Sequence, residues 1–399
     1  MGGIEQERCL ANVEPATVSS CYWVNMNDGV KTTLMTGSSG FLGHFVLRDL
    51  LRRGRRVVAL LRPPLGRTTR QLESLLKQLD FELKPFINSD QLLIIKGTLP
   101  DDLPSQSWGH TDDILSCAAS LQLFSNGNQE PFKTNVAGTD ALLEWARRYD
   151  VRNIFAVSTA YVCGSYLEAV KEVFHHPCPE FLTEYERSKW MAETRLVDWA
   201  GESGNTLTVL RPSVLVGDST TGYTTQFGGF YQFARLMSIL RNQYADQNGS
   251  GRVHVPLRLP GRPHDPHNFV PVDYAAQIIG EVVCNPHRHG RIYHLTDPQP
   301  PTNEQIKQWL EDYFQISGGY FVESDQSHRE PVLDEPQLGE DAEVLIKRIA
   351  HNPRFDQENT RALMREVGMS FPILTRKRFF SLLDYAVRQR WGQRATRVE

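Results

Sequence analysis

A glycine-rich turn after an apolar run constrains the fold of this chain more than any other feature. The turn reads Thr-Gly-Ser-Ser-Gly-Phe-Leu-Gly over residues 36–43, with glycines at Gly37, Gly40 and Gly43. It follows the run Thr33–Thr36 directly and opens a segment of helical period. Glycines at this spacing let the backbone turn tightly, approach a pyrophosphate and present helix N-terminal N–H groups to it. The pattern favours a dinucleotide-binding turn over a purely structural one.

The first half of the chain alternates short apolar runs with amphipathic segments. Six runs have the length and composition of strands: Thr33–Thr36, Arg56–Leu61, Leu92–Lys96, Ile114–Cys117, Asn153–Ser158 and Leu207–Arg211. Segments such as His44–Arg53 and Ala137–Tyr149 lie between them and have helical period. Strands that alternate with crossover helices form parallel sheets. The sequence therefore predicts an α/β fold, a Rossmann-type doubly wound parallel sheet with a smaller mixed C-terminal lobe.

The pattern changes after Gly217, where longer loops rich in glycine and proline begin. We predict an N-terminal extension over residues 1–30, a nucleotide-binding core over 31–217 and a substrate-binding lobe over 218–399. The lobe is interleaved with the core, which takes back residues 268–296. The polar segment Ser317–Glu343 is expected to be a mobile loop or flap.

Composition excludes several other classes of protein. The 399 residues contain 43 basic and 47 acidic side chains, a net charge of -4, which argues against a nucleic-acid surface or a polybasic membrane anchor. No stretch reaches the roughly 20 apolar residues that a membrane-spanning helix needs. Six scattered cysteines without a paired framework are typical of a reducing compartment. We expect a cytoplasmic protein with no nucleic-acid partner and no membrane span.

The end of the second predicted strand bears on the choice of cofactor. Arg62 follows this strand, and no acidic residue occurs until Glu73. An acid at this place accepts a hydrogen bond from the ribose 2′-OH of NADH, whereas a guanidinium can pair with the 2′-phosphate of NADPH. The sequence therefore predicts NADPH. Arg67 and Arg70 either assist or belong to a solvated basic loop.

Candidate catalytic residues follow the fifth predicted strand. Ser158 and Thr159 stand at its C-terminal tip, the edge where α/β sheets bind ligands. Tyr185 comes 26 residues after Thr159, and Lys189 four residues later, a spacing that shares one face of a helix. Hydride reduction of a carbonyl creates an oxyanion that needs a hydrogen-bond donor and a proton. Tyr185 can give the proton, Thr159 can orient the substrate oxygen, and Lys189 can lower the phenol pKa and hold the nicotinamide ribose.

Two weaker patterns concern the substrate and metals. Phe227, Phe230 and Tyr231 are expected to share one helical face, either as core packing or as an apolar wall for an acyl substrate. The histidines lie in loop-like stretches without metal-ligand spacing. We therefore predict no metal site.

With these residues placed, the sequence resembles the extended short-chain dehydrogenase/reductases. Within them it resembles the thioester reductase domains of polyketide and nonribosomal peptide synthetases of secondary metabolism, carboxylic acid reductases and fatty acyl-CoA reductases. The matching segments are the glycine turn, ALLRP (59–63), SCAAS (116–120), NVAGT (135–139), VSTAYVCG (157–164), YERSKWMAE (185–193), RPSVLVGDSTTG (211–222), NFVPVDYAA (268–276) and FDQENTRALM (355–364). Two positions depart from the family pattern: Thr98 follows Gly97 where relatives usually have Asp near the adenine, and Ser116 stands where many have His.

The resemblance implies roles for individual residues. Cofactor contacts would come from Gly37, Ser39, Gly40, Phe41, Leu42 and Gly43 at the pyrophosphate, Arg62 and Arg70 at the 2′-phosphate, Cys117, Ala118, Ala119, Tyr185 and Lys189 at the ribose and nicotinamide, and Pro212 and Val214 at the nicotinamide amide. Thr159, Tyr185 and Lys189 would be catalytic.

The leading hypothesis is an NADPH-dependent oxidoreductase that reduces an acyl thioester to the aldehyde, with further reduction to the alcohol left open. The thioester would be bound to coenzyme A or to an acyl or peptidyl carrier protein, which is the expected partner. Two alternatives remain: an NADPH-dependent reductase of a free aldehyde or ketone, and a non-catalytic NADP(H)-binding regulatory protein. The intact set of Thr159, Tyr185 and Lys189 argues against the regulatory protein.

Overall fold

The computed structural model describes residues 29–165, 169–175, 178–202, 204–245, 251–322 and 352–393. The helices are α1 (Phe41–Arg52), α2 (Leu65–Lys77), α3 (Lys84–Asn88), α4 (Gly138–Arg148), α5 (Glu184–Ala200), α6 (Phe230–Ala245), α7 (Val272–Cys284), α8 (Asn303–Phe314), α9 (Glu358–Val367) and α10 (Arg376–Arg388). The longer strands are β1 (Thr32–Thr36), β2 (Arg56–Leu61), β3 (Leu92–Lys96), β4 (Asp113–Ser116), β5 (Asn153–Val157), β7 (Thr206–Pro212) and β12 (Ile292–Leu295). The short strands are β6 (Ala169–Val170), β8 (Val214–Val216), β9 (Val253–His254), β10 (Arg258–Pro260), β11 (Phe269–Pro271), β13 (Ile316–Ser317), β14 (Tyr320–Val322) and β15 (Arg354–Phe355).

A seven-stranded parallel sheet organises these elements. Its order is β12-β7-β5-β4-β1-β2-β3, and every neighbouring pair runs parallel. The direction of winding reverses between β1 and β4, and ligands bind outside the carboxyl ends of the strands at such a switch point. The predicted doubly wound α/β fold is confirmed.

Helices cover both faces of the sheet, which explains why its strands are near-continuous apolar runs. On one face, α1 and α7 pack on side chains such as Met35 and Phe155. On the other face, α4 and α5 pack on Leu34 and Val209. None of the helices that the structure describes is long and apolar enough to cross a bilayer.

A third hydrophobic cluster lies in the C-terminal part of the chain, between α6, α8 and α10. Its most buried members include Leu310 and Leu383. The division into a core and a substrate lobe stays a prediction, because both belong to one unit that begins at Lys31. The predicted extension falls almost wholly on residues outside the described part.

Local boundaries differ from the sequence-based predictions in three places. Helix α1 begins at Phe41, because Gly40 already has the extended backbone of an N-cap. A π-helical turn, Lys133–Ala137, precedes α4. The prediction of a loop is wrong at Ser317 and Tyr320–Val322, where β13 pairs with β9 and β14 pairs with β10. Residues 323–343 of that predicted loop lie outside the described residues.

Candidate active site

The glycine turn joins β1 to α1 at the carboxyl edge of the sheet. Gly37 has a φ of +75°, and a Cβ there would lie 2.5 Å from the backbone nitrogen of Ala118. A Cβ at Gly43 would collide with the carbonyl oxygen of Gly37. Both positions therefore require glycine, and the turn stays open around the N-terminus of α1, where an anion is stabilised.

Thr36, the last residue of β1, connects this turn to the neighbouring strand. Its Oγ1 accepts hydrogen bonds from the backbone N–H groups of Cys117 (3.2 Å) and Ala118 (3.1 Å). These bonds hold the segment after β4 next to the glycine turn. Burial raises the pKa of the Cys117 thiol to about 12, so the thiol is protonated at neutral pH.

A cavity of about 1620 Å³ begins at this turn. The predicted cofactor residues that line it are Gly37, Ser39, Gly40, Phe41, Leu42, Gly43, Arg62, Cys117, Ala118, Ala119, Tyr185, Lys189, Pro212 and Val214. Typical ligand pockets measure about 300 to 1,000 Å³, so this cavity has room for a dinucleotide and a second ligand. The structure thus brings these predicted residues around one space.

The two arginines predicted at the 2′-phosphate are placed differently. Arg62 is exposed, follows β2 and lines the cavity. Its carbonyl oxygen accepts a hydrogen bond from Thr68 Oγ1 at 2.9 Å. Arg70 lies farther along α2 and is not among the lining residues.

Ser158 and Thr159 follow β5, are 5% exposed and line the same cavity. Thr159 is the N-cap of the short 3-10 helix Ala160–Cys163, and its Oγ1 accepts a hydrogen bond from the Tyr161 N–H at 3.3 Å. Because the hydroxyl only accepts in this contact, its own proton remains available for a ligand.

Tyr185 and Lys189 lie one turn apart on α5, as predicted from their spacing. Thr183 starts this helix by accepting a hydrogen bond from the Glu186 N–H at 3.2 Å. Lys189 Nζ donates to the carbonyl oxygen of Val157 at 2.8 Å, which ties α5 to the end of β5 just before Thr159. Thr159, Tyr185 and Lys189 therefore face one cavity from two adjoining elements.

Burial shifts the pKa of both groups on α5. It raises the pKa of Tyr185 to about 12. It lowers the pKa of Lys189 to about 8, against the opposing charge of Glu193. The expectation that Lys189 lowers the phenol pKa is not met in the protein alone, because burial dominates. Tyr185 is thus a phenol that keeps its proton at neutral pH.

Asn135 was not assigned a role from the sequence, although it begins the segment NVAGT. It is 3% exposed and lies in the π-helical turn before α4. Its Oδ1 accepts from the Ser120 N–H at 2.8 Å, and its Nδ2 donates to the Ser120 carbonyl at 3.0 Å and to Ser188 Oγ at 2.8 Å. Since Ser188 stands between Tyr185 and Lys189, Asn135 joins the cavity wall at Ser120 to α5.

The aromatic residues predicted at the substrate do not share one helical face. Helix α6 begins at Phe230, so Phe227 precedes it, after a Gly-Gly pair that breaks the helical pattern. Phe230 lines the cavity. Tyr231 is 2% exposed and packs in the core, where its hydroxyl accepts a hydrogen bond from the Gly217 N–H at 3.0 Å. Of the three, Phe230 alone is among the lining residues.

Within the described part of the chain, no group of three or more His, Cys, Asp or Glu side chains is arranged to hold a metal ion.

Comparison with known proteins bears on both the fold and the site. The family model described as male sterility protein, an NAD-binding domain, matches residues 35–279. A linear gramicidin synthase of Brevibacillus parabrevis is 24% identical over 97% of this chain, but the match covers only 8% of that synthase.

Two solved structures share the fold. The terminal R domain from the myxalamid PKS-NRPS biosynthetic pathway matches with a TM-score of 0.71 and 20% identity over 92% of each chain. A thiolation-reductase di-domain from an archaeal non-ribosomal peptide synthetase matches with a TM-score of 0.68 and 16% identity, over 91% of this chain and 92% of that chain. The similarity extends across both the parallel sheet and the C-terminal part.

Proposed function

Because the chain belongs to the male sterility protein family of NAD-binding domains, we propose that it reduces an acyl thioester to an aldehyde with NADPH. The predicted family, and with it the prediction of an oxidoreductase, is confirmed by the family match. The proposal rests on one observation above all. Thr159, Tyr185 and Lys189 face a single cavity that begins at the glycine turn and exceeds the size of one ligand.

The residues of the turn are suited to a dinucleotide. The space that a Cβ at Gly37 or Gly43 would occupy is already taken by backbone, and this close packing leaves the N-terminus of α1 open to a pyrophosphate. In this proposal the turn holds the pyrophosphate, Arg62 holds the 2′-phosphate, and the segments at Cys117 and Pro212 flank the nicotinamide. When bound, NADPH supplies the hydride that adds to the carbonyl carbon.

Thr159 and Tyr185 act on the oxygen of the thioester carbonyl. As negative charge develops there, the Thr159 hydroxyl donates a hydrogen bond and the Tyr185 phenol donates its proton. Lys189 supplies the positive charge that stabilises the tyrosinate left behind. The resulting hemithioacetal re-forms its carbonyl as the carbon–sulfur bond breaks, and its hydroxyl proton leaves with the thiolate. The products are an aldehyde and a free thiol.

The thioester is proposed to arrive on coenzyme A or on the pantetheine arm of a carrier protein. Two similarities support a carrier: one solved structure of this fold includes a thiolation domain, and one relative is a linear gramicidin synthase. Since this chain covers 8% of that synthase, the carrier is part of the proposal.

The proposal is tested by NADPH consumption with an acyl-CoA, an acyl-pantetheine, a free aldehyde and no substrate. We expect consumption with a thioester, together with release of thiol. Turnover of the aldehyde alone would replace the proposal with a free-carbonyl reductase. Tight NADPH binding without turnover of any compound would replace it with a regulatory protein.

A further inference from the structure

The cavity extends beyond the predicted cofactor and catalytic residues into the C-terminal part of the chain. We call this part the distal compartment. Its described walls come from α6, β10, α8 and β14, and the apolar ones are Phe230, Phe233, Leu259, Ile306, Leu310 and Phe321. Apolar walls of this kind favour an apolar ligand, because each buried methylene leaves water.

The described titratable groups of the distal compartment do not favour a charged ligand. Lys307 lies with its Nζ 3.2 Å from Glu304 and 3.4 Å from Glu311, so its charge is already neutralised. The His267 ring packs on Phe269 with 4.6 Å between ring centroids, and burial lowers its pKa to about 4. His267 is therefore uncharged at neutral pH, and neither group offers a free charge to an acyl chain.

A second void, of about 20 Å³, adjoins the distal compartment. Phe233, Leu259, Lys307 and Leu310 line both spaces and so form the partition between them. Leu259 and Leu310 are 4% and 2% exposed, respectively. Shortening either leucine would join the second void to the compartment.

We propose that the distal compartment binds the acyl chain of the substrate, that this chain is apolar and uncharged, and that Leu310 and Leu259 limit its length. The inference rests on the proposed function, because it assigns the acyl group of the same thioester. Each methylene that enters the compartment contributes about fourfold to affinity. The gain ends where the chain meets the partition, since further methylenes have no space.

Substitution of Leu310 tests this limit. Leu310→Ala removes three carbons from the partition, so we expect the longest accepted chain to grow by about three methylene groups. Leu310→Phe fills the compartment and is expected to shorten the accepted chain. Leu383→Ala is the matched control, because Leu383 is fully buried in the same hydrophobic cluster but does not line the cavity.

The probes are S-alkyl-coenzyme A thioethers of increasing chain length, which cannot be reduced, with NADP⁺ present. Calorimetry on the wild type is expected to show affinity that rises with chain length and then levels off. Leu310→Ala should move that plateau to longer chains, and Leu383→Ala should leave it unchanged. Affinity independent of chain length, or equal plateaus for Leu310→Ala and Leu383→Ala, would overturn the inference.

Two further readouts keep the test decisive. If Leu310→Ala does not fold, as judged by its melting temperature, Leu259→Ala should lengthen the plateau and Leu310→Phe should shorten it. Reduction of the matching acyl-CoA thioesters is measured in parallel. A chain-length plateau without reduction would refute the proposed thioester activity and leave the compartment standing, whereas reduction without a plateau would refute the compartment alone.

Discussion

In the proposed reaction, Tyr185 is the residue whose loss stops proton transfer. Burial keeps its phenol protonated at neutral pH, with a pKa of about 12. Tyr185→Phe retains the ring and removes the proton, so we expect kcat to fall by about 10²- to 10⁴-fold with little change in NADPH affinity. The measurement is single-turnover NADPH oxidation beside NADPH binding by fluorescence.

The control for this substitution is Tyr223→Phe. Tyr223 is 5% exposed, and it does not line the cavity. Its kcat should stay near that of the wild type. Equal activity of the two variants would remove Tyr185 from the reaction.

Arg62 determines the choice between the two nicotinamide cofactors in this account. It is exposed, so replacing it should change the free energy of unfolding by only about 0.5 kcal/mol. A hydrogen bond to a charged group contributes about 1.5 to 3 kcal/mol. Arg62→Asp should therefore lower the preference for NADPH over NADH by about 10- to 100-fold, measured as a ratio of kcat/KM values.

Arg70→Asp makes the same change of charge on α2, outside the cavity wall. Its effect on the preference should be much smaller. If Arg62→Asp leaves the preference at its original value, or if Arg70→Asp has the larger effect, Arg62 does not bind the 2′-phosphate.

At the scale of elements, the position of α5 depends on its contacts at the end that carries Tyr185 and Lys189. Asn135 joins that end to the cavity wall through Ser188 and Ser120. Asn135→Ala leaves buried polar groups without partners, so we expect a loss of about 1 to 3 kcal/mol in the free energy of unfolding. We also expect a lower kcat, because the phenol and the ammonium lose their common support.

The comparison is Asn205→Ala, near the other end of α5, where Asn205 Nδ2 donates to the Trp199 carbonyl oxygen at 2.8 Å. This substitution should lower stability without lowering kcat. The two values are measured by urea unfolding and by steady-state kinetics. A fall in kcat of the same size in both variants would mean that Asn135 acts through stability alone.

At the scale of the whole molecule, the parallel sheet was predictable because its local signals agree. The apolar runs, the glycine turn and the spacing of Tyr185 and Lys189 are all short-range patterns. The role of Asn135 was not predictable, since its partner Ser188 is 53 residues away. The shared helical face of Phe227 failed for a local reason: a Gly-Gly pair delays the start of α6. The strands at Ser317 and Tyr320 depend on partners far along the chain.

The shape of the molecule supports direct hydride transfer, because one cavity contains both the glycine turn and the proposed catalytic residues. The most direct test is a reaction of an acyl-CoA with NADPH that carries deuterium at the transferred position. We expect aldehyde with one deuterium on its carbonyl carbon, and free coenzyme A in equal amount. Aldehyde without deuterium, or coenzyme A released without aldehyde, would contradict the account.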